Sequence, residues 1–226
     1  MNSFQKLGRS IVTSFKNRGQ DPSKRFKKEY VYYLFRLFTH PIETFSDIKY
    51  EGKGSVTLAN ILVFIWFTET VIGNGLSGYL FSGEPTSPIM SLATTAGFLL
   101  LWCICNWSAC TLFDGEGKFK EIWVTTAYAL LPMLIFEPFV IIFSNIASTD
   151  EAILVSAIGT VGLIWTLILE FLGMVICQQF TVSKTILLAI VTLLGLLAVM
   201  FIVLIFFSIS QQMIDFINNL WTEIIL

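Results

Sequence analysis

Apolar residues gather into five long runs along this chain, separated by short polar breaks. The runs cover about Thr57 to Phe81, Pro88 to Phe113, Glu121 to Ser144, Glu151 to Phe180 and Lys184 to Ser210. Each exceeds the roughly 20 residues that a helix needs to cross a hydrocarbon core. A bilayer admits only backbones that satisfy their own hydrogen bonds, and uninterrupted apolar runs of this length do so as helices. The pattern predicts an all-α, polytopic membrane bundle of five transmembrane helices with adjacent spans antiparallel.

What precedes the first run is different in kind. Residues 1–29 form a polar, basic tail expected in the cytosol. From 30 to 55 the chain is aromatic and amphipathic, beginning YVYYLFRLF, too short to span and suited to the membrane interface. Tyr32, Tyr33, Phe35 and Phe38 are the expected interfacial anchors. His40-Pro41 restarts the chain, since Pro41 suits a first helical turn. Ile42, Phe45 and Ile48 then recur on one side of a short helix that Gly52 and Gly54 should end. Residues 56–212 make up the five-span domain. Beyond it, Ile214, Ile217, Trp221 and Ile224 recur at helical spacing in 213–226, which either lies flat on the far surface or extends the fifth span.

Composition agrees with this class. The 226 residues are 55% hydrophobic and 13% charged, with a mean hydropathy of +0.75. Soluble domains carry about 25% charged residues. The net charge of -2 gives no reason to expect a nucleic-acid partner. No secretory signal is evident, because some fifty polar and aromatic residues come before the first apolar run. Cys103, Cys105, Cys110 and Cys177 all lie in apolar runs and read as packed, reduced thiols. Of the 14 Lys and Arg residues, only Lys118, Lys120 and Lys184 follow the first span. With the N-terminus in the cytosol, those three also fall on the cytosolic side and every positive charge obeys the positive-inside rule. The C-terminus is then outside, and the expected location is a plasma membrane.

Candidate chemistry is sparse. A charged hairpin, Asp114-Gly115-Glu116-Gly117, joins spans two and three, with Asn106 and Trp107 before it and Tyr128 and Pro132 after it. Its acidic residues do not match the calcium-loop pattern, and it reads as a solvated turn. Glu69, Glu137 and Glu170 interrupt spans, where ionisable groups are functional candidates by default. At roughly 1.5 Å rise per residue, Glu69 and Glu137 share a depth while Glu170 lies nearer the inner end. Each carboxyl is either a hydrogen-bonded structural group, or Glu69 and Glu137 form a proton or cation site. Gly73, Asn74, Gly75 and Gly78 crowd the outer end of span one and suit either close packing or a helix break. Pro132 and Pro138 should kink span three. Phosphate loops, nucleophile triads and metal motifs are absent from the sequence, and His40 has no obvious catalytic partner. No enzyme activity, cofactor or metal is expected.

The chain resembles the Ypt-interacting-protein (Yip) domain membrane proteins, especially their Gram-positive bacterial branch, over about residues 30 to 212. The likeness rests on HPIETFSDIKYEGKGS, on NW followed by LFDGEGKFKEIWVTTAYALLP, on SNIASTDEA, and on the five spans. It implies that Asn106, Trp107, Asp114, Gly115, Gly117, Tyr128 and Pro132 are structural positions of a membrane scaffold. The DLYGP signature of eukaryotic members has no match here, so no GTPase or Golgi role is carried over. The bacterial branch resembles components associated with sugar ABC-importer genes. The expected function is therefore a non-enzymatic adaptor that binds or stabilises another integral membrane protein. The alternative is a small transporter or channel using Glu69 and Glu137.

The orientation has a direct test. A cysteine placed at Ser148 of an otherwise Cys-free chain should react with an impermeant maleimide from outside only. Labelling from the cytosol alone would refute five spans with the C-terminus out.

Overall fold

The computed structural model describes residues 32–52, 54–78 and 87–225, with side chains as far as Leu220. The basic tail at 1–29 and the connection at 79–86 lie outside them. A helical stretch at 32–39 precedes α1 (Pro41–Tyr50), α2 (Val56–Leu76), α3 (Pro88–Leu112), α4 (Phe119–Ala129), α5 (Leu131–Ser144), α6 (Ala152–Gln178) and α7 (Val182–Ile225). The described residues contain five helical spans long and apolar enough to cross a membrane, α4 and α5 together making the third.

Helix ends fall where the sequence can satisfy them. Ser55 and Ser87 cap α2 and α3 by accepting from the backbone N–H of Leu58 and Met90. Pro41 and Pro88 sit in first turns, where a missing N–H costs nothing. Before α6, Glu151 accepts from both the backbone and the hydroxyl of Ser148, which holds its carboxyl below the usual range. At the opposite end of the bundle from the α3–α4 connection, Asn145 Nδ2 donates to Ile141 O and Leu76 O, at 2.8 and 2.7 Å, closing the ends of α5 and α2 together.

Span three is the centre of the bundle. It touches α2, α3 and α6, with α7 packed on α3 through Thr185, Leu188, Thr192 and Leu196. The span is broken at Leu130 because Pro132 has no N–H to offer the Tyr128 carbonyl. The N–H of Met133, freed at the break, donates to Thr166 Oγ1 on α6 at 3.2 Å. Gly162 lets α6 approach this region, since a methyl group there would come within 2.8 Å of Phe136 Cβ. Pro138 lies inside α5, which continues past it.

Two segments differ from a flat interfacial arrangement. The stretch from 32 to 50 is amphipathic, but its apolar side covers the bundle. Leu37, Phe45 and Ile48 are buried in the main core, and Phe38 stands edge-on to Trp165 at 5.7 Å. Phe45 fills the notch at Gly173, and Lys49 reaches Glu121 at 2.6 Å. On α6 these contacts run from Trp165 to Gly173, about 12 Å by helical rise, and Lys49 reaches the start of α4. Arg36 bridges Glu43 and Asp47, one turn apart on α1, and folds 32–39 back onto it. At the other terminus, α7 is one 44-residue helix, so the C-terminal segment extends span five. Its length is about 66 Å, more than twice a hydrocarbon core of about 30 Å.

This packing predicts that a Cys-free chain carrying Phe38→Cys and Trp165→Cys is joined by a short bifunctional thiol reagent, as seen by mass spectrometry of the cross-linked peptides. Absence of that link in a folded chain would favour a flat lead-in.

Candidate functional site

Polar groups gather toward the end of α3, α4 and α6 that carries the α3–α4 connection. Trp102 and Asn106 stand one turn apart on α3, and Glu170, Met174 and Gln178 follow one stripe of α6. Glu170 Oε1 accepts from Trp102 Nε1 at 2.8 Å and from Thr126 Oγ1 of α4 at 2.9 Å. Deeper in, Gln178 Nε2 donates to Asn106 Oδ1. Asn106 is 0% exposed and Gln178 is 1% exposed. The two bonded groups line one small space of about 10 Å³, together with Thr125 and Cys177.

The charged hairpin between spans two and three closes this end. Asp114 turns with a φ of +56°, and Gly115 N–H returns to Cys110 O at 2.9 Å. A methyl on Gly115 would lie 2.7 Å from Phe180 Cζ, and one on Gly117 would lie 3.2 Å from Gln178 Cγ. A side chain at Gly115 would displace Phe180 or Cys110, whereas one at Gly117 would need only a small shift of Gln178. Two lysines hold the hairpin there. Lys184 Nζ donates to Phe113 O at 2.7 Å, while Lys49 Nζ donates to Glu116 O and pairs with Glu121. Glu121 also accepts from Lys118 N–H, helping to start α4.

The other singled-out residues are dispersed. Tyr128 and Pro132 are buried at the break of span three. Trp107 is 42% exposed and packs edge-on to Phe119 at 6.2 Å, on the outside of the bundle. Of the expected anchors, Tyr32 and Phe35 face outward, Tyr33 is buried, and Phe38 rests on Trp165. All four cysteines are free and buried. Among the described residues no group of three His, Cys, Asp or Glu side chains could hold a metal ion.

Glu69 and Glu137 lie on α2 and α5, two helices that pack against each other. Glu69 Oε2 is buried without a protein partner. Glu170 belongs to the separate polar cluster. The glycines beside Glu69 do not open the backbone, because α2 runs on to Leu76. Gly73 packs at Ile141, and Gly78 N–H donates to Ser144 Oγ at 3.0 Å. Close contact accounts for Gly73 and Gly78, while Gly75 has open space beside it. The sequence reading singled out Asn106 but passed over Gln178, Trp102, Thr126 and Lys49. The i, i+4 pair Trp102/Asn106 and the Glu170/Gln178 stripe were the available signals.

The fold and its internal polar ties define a multi-pass, all-helical membrane protein. Residues 35–208 match the family model described as the Yip1 domain, and the chain belongs to that family. No curated protein and no solved structure matches it.

The Glu170 bridge gives a sharp expectation for thermal unfolding in detergent. Glu170→Gln keeps an acceptor and should be nearly silent. Glu170→Leu strands Trp102 Nε1–H and the Thr126 hydroxyl, and should cost about 1–3 kcal/mol for each buried group left unpaired.

Proposed function

We propose that the protein is a non-enzymatic adaptor of the plasma membrane that binds or stabilises another integral membrane protein. The resemblance suggests a sugar ABC importer as the client. In this reading the N-terminus is cytosolic and the C-terminus extracytoplasmic. The observation that carries it is the unbroken course of α2 past Glu69, Gly73 and Gly75. Transporter sites use unwound helices whose freed carbonyls and N–H groups bind the cargo. Here the one interruption near the bundle centre, at Leu130, has its Met133 N–H taken up by Thr166. The polar cluster of Asn106, Glu170 and Gln178 surrounds a space far too small for a solute.

A second reading keeps Glu69 and Glu137 as a proton or cation site, favoured by the unpartnered Glu69 oxygen on a helix that packs against the one carrying Glu137. One set of variants separates the two. Under the adaptor reading, Glu69→Gln and Glu137→Gln fold and co-purify in mild detergent with the same importer subunits as the wild type. Deleting the chain lowers the abundance of those subunits, and both variants restore it. Failure of a well-folded Gln variant to restore it would overturn the adaptor reading and support the titrating site.

A further inference from the structure

The polar cluster of Asn106, Glu170 and Gln178 is incomplete as the protein alone builds it. The Gln178–Asn106 bond uses one donor and one acceptor, leaving Asn106 Nδ2 and Gln178 Oε1 buried without partners. Reorienting the amides does not cure this. Turning both yields the reverse bond and again leaves one donor and one acceptor. Turning one sets like against like. An unsatisfied buried donor or acceptor is costly, more so with no bulk water nearby. Both residues line the same small space, as does Glu170, and its volume is about 10 Å³.

We propose that this space is a binding site for a single water molecule. A polar cavity holds a water when it offers about one probe sphere of volume, roughly 10–15 Å³, and two to four polar partners. The chemistry of the orphaned atoms selects the ligand. A metal cation has no lone pair to accept from Asn106 Nδ2, and an anion would face the carboxyl of Glu170 and the oxygen of Gln178. Water accepts from Asn106 and donates to Gln178 Oε1. Its second hydrogen is available to the Glu170 carboxyl, which has unused lone pairs.

The molecule joins two separate ties, Asn106–Gln178 and Trp102–Glu170–Thr126, into one network across α3, α4 and α6. It lies under the hairpin that Lys49 and Lys184 hold down. Gly117 of that hairpin packs close to two of the lining residues, since a methyl there would come within 3.2 Å of Gln178 Cγ and 3.6 Å of Cys177 Sγ.

Proton-detected NMR of the full ¹⁵N-labelled wild-type chain in lipid bilayers tests the proposal without any substitution. The Asn106 side-chain amide is assigned by through-bond correlation to its own backbone. A dipolar cross-peak should connect that amide to a proton at the water frequency, with the sign that separates it from chemical exchange. It should persist when the bulk-water signal has been filtered out by its mobility. A resolved, protected Asn106 amide with no such cross-peak would overturn the proposal. So would a cross-peak identifying a protein group as the acceptor of its free hydrogen.

Discussion

A polar group inside hydrocarbon has no water to turn to, and most of this structure follows from that constraint. Pro132 withdraws one N–H from the middle of span three, and the resulting break would be expensive if its neighbours stayed unpaired. Thr166 supplies the acceptor that Met133 needs, and Gly162 lets α6 come close enough for it to do so. The kink and the helix contact are therefore one feature. It also explains why α5 and α6 share so broad an interface, within a span that touches α2 and α3 as well.

The same constraint operates at both surfaces through different residues. Asn145 closes two helix ends at one end of the bundle with a single amide. At the other end, Lys49 and Lys184 reach backbone carbonyls of the connection between α3 and α4, and the glycines there let backbone meet side chain directly. Lys49 comes from the lead-in, so α1 is fastened to the hairpin by charge and to α6 by Phe45 at Gly173. Surface ion pairs contribute little on their own. A cation that satisfies a helix-end carbonyl at the edge of hydrocarbon does more, because the alternative partner there is scarce.

How far this was legible in the sequence depended on whether a signal names its own partner. The five spans were readable because length and apolarity alone decide whether a segment crosses. The break at Pro132 was readable for the same reason, as proline acts on its own helix. Amphipathicity in 32–50 was equally visible, yet a stripe of Phe45 and Ile48 is silent about whether lipid or protein will cover it. Asn106 could be picked out as polar within an apolar run, whereas Gln178 looked like the ordinary polar end of span four. Their pairing depends on how α3 and α6 rotate toward each other, and hydropathy is nearly blind to rotation when most residues are apolar. The glycines beside Glu69 suited a break or a close contact, and Ser144 and Ile141, from a distant part of the chain, decided it for contact.

The two groups of intramembrane carboxyls show how environment separates residues that look alike in sequence. Glu170 is met by an indole N–H and a hydroxyl, both from helices that also form the walls of its site. Such a carboxyl is fixed in place, and it gains by staying as it is. Glu69 has a buried oxygen with no protein donor, on a helix that packs against the one carrying Glu137. Nothing in that surrounding commits it to one hydrogen-bonding state. An adaptor has no need of an uncommitted carboxyl, though it can carry one where helix packing leaves room. A transporter would require it, together with an opening in the backbone beside it. The unbroken α2 supplies the carboxyl and withholds the opening, and for that reason the balance falls on the side of a scaffold.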